Sequence, residues 1–391
     1  MQRFFSADHI FSPHTGIVPG GILVTDAQGT ITDLLDPESA SSVPEQVQHF
    51  SGMLCPGFIN THCHLELSHL RGQVTRHTGF VGFAKELLPK RNQFTTEQIQ
   101  QAIIDGEDEM YRNGIVGVGD ISNTADSFLQ KSKKRIAYHT FIELLALNPA
   151  AAQQVMQGGL ELLGKIHDHP ATIVPHAPYT VSEELLRLIS ENNREGKMLS
   201  IHNQESAAEN EFFEKGTGDM LELYRFLGID ISWFKAPGIN ALRRTLPNMN
   251  PDDPLLLVHN TFTTAADIRF TNGIFPNLYW CFCPKANLYI ENRLPDYEIF
   301  TDAGVRITIG TDSLASNDTL SVLEELKVIA AAVPYLEIET LLHWATKNGA
   351  DALDMPALGS FEKGKRPGII LLKNLGKELR MSSAAEVVRV L

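Results

Sequence analysis

Eight short apolar runs recur along the middle of this chain, and each is followed by a longer stretch whose apolar residues have helical spacing. The runs are Met53–Thr61, Ile115–Asp120, Ile136–Glu143, Thr172–His176, Met198–His202, Leu255–His259, Leu278–Phe282 and Val305–Asp312. Helical stretches between them include Thr96–Arg112, Ser182–Arg194, Ser206–Leu227 and Thr319–Ala332. Eight strand–helix repeats predict an α/β fold of the (β/α)8 TIM-barrel type. A doubly wound open sheet is the competing architecture, and the absence of a G-x-G-x-x-G after any run counts against it.

The runs end on polar chemistry. In order, their ends carry His62 and His64, Asp120, Glu143, His176, His202, His259, Cys283 and Asp312, and in such a barrel the catalytic groups sit at the C-terminal ends of the strands. Residues i and i+2 of a strand face the same side, so His62 and His64 aim both imidazoles at one point. An isolated His-x-His is a weak pattern, and a strand-end histidine is more often a hydrogen-bonded core residue. Four such groups in one barrel are harder to explain that way: His62, His64, His202 and Asp312 form a set of N and O ligands for a hydrolytic metal site with an open position. Taken alone, Asp312 in GTDS has the alternative of capping the following turn. Glu205, three residues after His202 in IHNQES, is placed to exchange a proton with a substrate; its alternative is a first-turn acid favoured by the helix macrodipole. His259, ending LLLVH, is placed to orient an attacking water or to stabilise developing charge.

Charge and cysteine usage narrow the function class. The 391 residues carry a net charge of −14, with Lys and Arg scattered, which argues against a nucleic-acid backbone or an anionic membrane as partner. No apolar run approaches the ~20 residues of a membrane span, and MQRFFSADHIFSPHTG at the start lacks the apolar core and cleavage site of a signal peptide. The four cysteines, Cys55, Cys63, Cys281 and Cys283, form no C-x-x-C pair and are too few for a disulfide framework. Reduced, buried thiols in a cytoplasmic protein are expected, with a small-molecule substrate and a homodimer as the commonest assembly.

The two chain ends differ from the middle. Ile22–Thr25 and Thr30–Leu35 at one end, and Gly368–Leu372 and Glu386–Leu391 at the other, read as short strands. They are expected to pair into a small composite β-sandwich domain of residues 1–52 and 360–391, with the barrel at 53–359. Gly228–Asp253, which contains Trp233, Pro237, Pro247 and Pro251, reads as an irregular loop over the barrel mouth that closes on substrate.

PGFINTHCHLELSHLRG, HAPYTVS at His176, IHNQES at His202, LVHN at His259, CPKAN at Cys283 and GTDSLASND at Asp312 together resemble the amidohydrolase superfamily, in its nucleoside and nucleobase deaminase and chlorohydrolase branch. The resemblance covers nearly the whole chain, up to GSFEKGKRPG before the last β segment, and the motifs in this order are highly specific. It implies the metal-centred barrel with a composite β domain. Residue by residue it assigns His62, His64, His202 and Asp312 as metal ligands, Glu205 as the proton-transferring acid and His259 as the histidine beside the activated water. Binuclear members bridge two metals with a modified lysine ending the fourth strand; TIVPHAP puts His176 there, so a single divalent ion is implied, Zn2+ or, second, Fe2+. The implied reaction adds an activated water at an amine-bearing ring carbon. Glu205 protonates the neighbouring ring nitrogen, Asp312 draws off the water proton, and ammonia leaves.

The segment LELSHL is similar to the aminodeoxyfutalosine deaminases, which act on an adenine nucleoside in a menaquinone route. Their substrate bears a carboxylate, so a cation near the mouth is expected; Arg71, Lys285 and Arg293 are candidates. Glu66 and Glu143 are candidates for binding ribose hydroxyls and His176 for contacting the nucleoside, while Asn287 and Ser313 stand in family-like positions. Alternatives are deamination or dechlorination of S-adenosylhomocysteine, guanine, cytosine or a triazine. A barrel that has lost catalysis and serves binding or assembly is more remote, because the ligand set is whole.

Overall fold

The computed structural model describes residues 2–36, 46–193 and 196–391. Its strands, in chain order, are β1 (Arg3–Ser12), β2 (Gly16–Pro19), β3 (Ile22–Thr25), β4 (Ile31–Leu35), β5 (Gln48–Pro56), β6 (Phe58–Cys63), β7 (Ile115–Ser122), β8 (Ala137–Leu144), β9 (Ala171–Pro175), β10 (Leu199–Asn203), β11 (Leu255–His259), β12 (Leu278–Phe282), β13 (Arg306–Ile309), β14 (Ile369–Lys373) and β15 (Glu386–Arg389). Strands β6 to β9 and β10 to β13 form two parallel four-stranded runs. Two backbone joints close them into a ring of eight. His202 N–H donates to His176 O at 2.9 Å on one side, and Thr311 N–H donates to His62 O at 3.0 Å on the other. Both joints lie at histidines read from the sequence as site residues, so the barrel closes where its chemistry is concentrated.

The run Met53–Thr61 is divided between two layers. Its first part, through Pro56, belongs to β5, which pairs with β1 and β14 in a seven-stranded sheet built from both chain ends. Only after Gly57 does the chain enter the barrel as β6. A β-carbon at Gly57 would stand 2.3 Å from Val116 Cγ1 and 2.9 Å from the Pro367 carbonyl, so this crossing between layers requires glycine. The end sheet therefore holds Met53–Pro56, and the change of layer comes later than residue 52. The composite domain expected from both chain ends is built on one seven-stranded hydrogen-bonded sheet, ordered β15-β14-β5-β1-β3-β4 with β2 on β1.

The helices follow the apolar spacing, and their ends follow capping chemistry. The stretch Thr96–Arg112 is one helix, opened by a capping box in which Thr95 and Gln98 satisfy each other's backbone N–H. Ser182 caps Glu183–Asn192, and Ser321 caps Val322–Ala332; the predicted last residue of the first, Arg194, lies outside the described residues. The expected single helix over Ser206–Leu227 is two, Ala207–Lys215 and Met220–Leu227, because Gly216 and Gly218 take φ of +69° and +91°. The segment Gly228–Asp253 includes a short helix, Ala241–Thr245. It is tied down by Phe234 stacked on Phe212 at 4.2 Å and by Arg243 paired with Asp267 at 2.9 Å. All four cysteines are free and buried, and no helix among the described residues is long and apolar enough to cross a membrane.

Candidate active site

At the C-terminal mouth of the barrel four groups converge. His64 Nε2 lies 3.2 Å from His62 Nε2 and 3.3 Å from His202 Nε2. Asp312 Oδ1 lies 3.6 Å from His62 Nε2 and 3.5 Å from His64 Nε2. Each side chain is aimed by its surroundings. His202 Nδ1–H donates to the His176 carbonyl at 2.9 Å, which leaves the Nε2 lone pair facing the cluster. Ser316 donates its hydroxyl to Asp312 Oδ2 and so turns Oδ1 inward. A β-carbon at Gly310 would stand 2.8 Å from the His62 β-carbon and 2.9 Å from the sulfurs of Cys281 and Cys283, so the approach of β13 to His62 depends on glycine there.

His259 and Glu205 form the other half of the site. His259 has φ +72° and the following Asn260 φ +57°, a left-handed pair that non-glycine residues adopt at some cost and that tertiary contacts must hold. Asn260 supplies those contacts, donating its side-chain N–H to the Leu257 and Cys281 carbonyls and its backbone N–H to Asn203 O. His259 Nδ1 meets Asn287 Oδ1 at 2.9 Å, and its Nε2 faces Glu205 Oε1 at 3.7 Å. Asn287, named from its family-like position, thus sets the tautomer of His259.

Burial sets the charge states. It lowers the pKa of His62, His64, His202 and His259 and keeps these imidazoles neutral. Burial also pushes up Glu205, well above the ordinary carboxyl value, with the nearby Asp312 charge adding to the effect. For Asp312 burial acts upward too, but the hydrogen bond with His62 and the surrounding His64 and His259 outweigh it and hold the carboxyl below its ordinary range. One carboxyl that keeps its proton and one that gives it up stand on either side of the same cluster.

The other residues read from the sequence fall into two groups. Glu143 and His176 join the cluster: Glu143 Oε1 is 3.4 Å from His202 Nδ1, and Glu143, His176 and His202 have ligand-type atoms within 4.8 Å of one another. Burial lifts the Glu143 carboxyl to about 8, and its Oε1 is buried without a hydrogen bond among the described residues. Glu66 and Arg71 are engaged elsewhere. Glu66 pairs with Arg91 at 2.5 Å and accepts the backbone N–H groups of Asn123 and Thr124, which holds the loop after β7. Arg71 is ion-paired with Glu109 on the helix Thr96–Arg112, and Glu109 also binds Thr319 and Leu320. Lys285 lies 3.9 Å from Asp318, while Arg293 lies over the Phe262 ring at 4.6 Å. Ser313 bonds Ala315 N–H and shapes the turn that carries Ser316.

Several supporting residues carried no signal in the sequence. Asn123 donates to Glu143 Oε2 at 3.0 Å. Behind His64, Asp120 Oδ1 accepts the Leu65 N–H at 2.8 Å while its Oδ2 pairs with Lys131 Nζ at 2.5 Å, with both side chains fully buried. Lys131 comes from a four-residue helix and also donates to Ser122 and Thr140. Asp120 was legible as a strand-end acid; its partner was not. Replacing Lys131 with methionine leaves a buried carboxylate without its counter-ion, and we expect a loss of about 3–5 kcal/mol in stability, measured by denaturant unfolding.

The cluster fits a divalent ion. Three imidazole nitrogens and a carboxylate oxygen face one another, a donor set of the kind that holds a divalent metal ion. A cavity of about 590 Å³ lies at the start of the helix that follows Glu205. Its wall includes Phe80, Lys85, Ala207, Ala208, Glu222 and Glu291, and the two alanines follow closely on Glu205.

An eight-stranded parallel barrel with four buried histidines and two buried carboxyl groups gathered at its C-terminal mouth has the build of a metal-dependent hydrolase. Residues 53–389 match the amidohydrolase family, so this chain belongs to the amidohydrolases, hydrolytic enzymes of carbon–nitrogen bonds. The 5-methylthioadenosine/S-adenosylhomocysteine deaminase of Bacillus cytotoxicus is 27% identical over 368 residues, which covers 88% of this chain and 78% of that protein. The aminodeoxyfutalosine deaminase of Deinococcus radiodurans is 27% identical over 378 residues, covering 89% and 84%. In fold, the chain resembles the crystal structure of Helicobacter pylori aminofutalosine deaminase in complex with methylthio-coformycin, with a TM-score of 0.81, 23% identity and coverage of 96% and 93%.

Proposed function

We propose that the protein is a hydrolytic deaminase of an adenine-type nucleoside that works with one divalent ion, Zn2+, held by His62, His64, His202 and Asp312. The carrying observation is the buried Glu205 carboxyl, raised above its ordinary range, beside that ligand set and 3.7 Å from His259, with a cavity of nucleoside size lined by Ala207 and Ala208 just after it in the chain. A bound ion of this kind lowers the pKa of water from 15.7 toward ~7 and so supplies the nucleophile. The chain supplies the proton traffic. Glu205 donates its proton to the ring nitrogen next to the amine-bearing carbon, where it stays in the product; Asp312 accepts one proton released by water and passes it to the amine, which leaves as ammonia, and the second water proton returns to Glu205 as the carbonyl forms. His259, fixed by Asn287, offers a lone pair toward the reacting water.

The substrate we propose is aminodeoxyfutalosine, which would place the enzyme in menaquinone biosynthesis. The LELSHL segment and the relative from Deinococcus radiodurans support it. Since Arg71 is occupied by Glu109, the cation for the substrate carboxylate is Arg293, which forms no ion pair among the described residues and rests on Phe262. Phe262 N–H in turn bonds Gln204 O, one residue before Glu205. A second reading, a 5′-thioadenosine substrate, is favoured by the cavity itself: Glu86, Asp219, Glu222 and Glu291 line it, and its one cation, Lys85, lies 3.7 Å from Glu222. The test is ammonia release by zinc-loaded enzyme on aminodeoxyfutalosine, 5-methylthioadenosine, S-adenosylhomocysteine, adenosine, guanine and cytosine. Preference for the first supports the carboxylate reading; preference for the second or third overturns it in favour of thioadenosines. In the first case Arg293→Ala is expected to raise KM on aminodeoxyfutalosine about tenfold or more, the worth of a charge-assisted contact, and to leave adenosine unaffected. An equal change on both substrates removes Arg293 from the site.

A further inference from the structure

Tyr179 is among the largest fully buried side chains, with 2% of its surface exposed, yet its hydroxyl has no hydrogen-bond partner among the described residues. A buried phenol normally finds one, and leaving it unpaired disfavours the ligand-free fold. Its position gives the reason. The ring lies edge-on to Phe80 at 5.1 Å on one side and to His176 at 5.9 Å on the other. Phe80 lines the 590 Å³ cavity and His176 belongs to the cluster at the strand ends, so the Tyr179 ring lies between a residue of the cavity and a residue of the cluster. The ring is fixed there. The backbone carbonyl of Tyr179 accepts the Tyr224 hydroxyl at 2.7 Å, and the residue packs in one apolar cluster with Val81, Phe212 and Phe213.

From this geometry we infer that the Tyr179 hydroxyl is a substrate-binding group that donates a hydrogen bond to an uncharged oxygen of the nucleoside sugar. The inference rests on the deaminase reading above and adds to it a residue that selects for the intact sugar. Burial, with the Glu205, Glu209 and Glu143 side chains near the phenol, raises it well above its ordinary range, so the hydroxyl keeps its proton and serves as a donor, for which the uncharged oxygens of a sugar are fitting acceptors. The unpartnered Glu143 Oε1 next to His176 offers a second polar contact to the same sugar.

The test compares wild type and Tyr179→Phe, both zinc-loaded, on the nucleoside that the wild type deaminates fastest and on its 2′,3′-dideoxy analogue. The change removes one oxygen and keeps the ring packing. On the full nucleoside we expect KM to rise about three- to tenfold with kcat within twofold, the worth of one neutral hydrogen bond. On the dideoxy analogue the two enzymes should be equal. The ligand-free variant should unfold at the wild-type temperature or higher, since an unsatisfied buried hydroxyl has been removed. Equal kcat/KM on the full nucleoside overturns the inference, and so does the same KM increase on both substrates, which would mark a packing role. A wild type that deaminates no nucleoside overturns the function reading itself, an outcome separate from either of these.

Discussion

Glu205→Gln is expected to keep about one metal ion per chain and to lose about 10²–10⁴-fold in kcat, the range general acid–base catalysis supplies. The substitution preserves shape and removes only the transferable proton. Glu205 is 5% exposed, and none of the ligand side chains uses it as a hydrogen-bond partner, so the ligand geometry does not depend on its ionisation. Stability should hold or rise, because burial already works against the charged form of this carboxyl. Metal content, thermal unfolding and single-turnover deamination on the same preparation separate these effects. A variant with normal metal and a near-normal chemical step would remove Glu205 as the acid and leave His259 as the nearest alternative proton carrier.

That prediction rests on a residue legible in the sequence, and the reason it was legible is general to this fold. Parallel strands buried in a barrel read as apolar runs, so a histidine or acid ending one stands out, and strand-end position in a barrel is site position. His62, His64, His202, His259 and Asp312 were found by that logic alone. Residues that act sideways, between elements, left no such mark. Arg71 follows the histidine motif closely in sequence, but its side chain crosses to Glu109 on the neighbouring helix, a contact set by helix packing that spacing does not encode. Lys131 ends a four-residue helix and reaches Asp120 only because the barrel brings β7 and that helix together. Tyr179 was visible inside HAPYTVS, but its missing hydrogen bond appears only once every neighbour has a position. Layer changes were blurred for a related reason: apolar residues continue from Met53 to Ile59, so only the Pro56–Gly57 break hints that the run serves two sheets.

His202→Ala is expected to lower bound metal from about one ion per chain to a trace after dialysis, and to lower turnover below detection with it. His202 carries more than one ligand nitrogen's worth of order: through Nδ1 it binds the His176 carbonyl, beside the joint that closes β9 to β10. The wild-type cluster explains why the ion matters to the fold as well as to the reaction. Without it, imidazole nitrogens 3.2 and 3.3 Å apart and the Asp312 carboxyl are buried together, facing one another across the cluster. An ion bound at a free concentration 1,000-fold above its Kd stabilises the folded state by about 4 kcal/mol. Chelation should therefore lower the wild-type unfolding temperature, and zinc should restore it. The His202→Ala protein should respond to neither treatment, whereas Glu205→Gln should respond to both. If His202→Ala retained a full complement of metal and its stabilisation, the ligand set would have to be redrawn around His62, His64, His259 and Asp312, since His259 is the remaining imidazole grouped with His62 and His202.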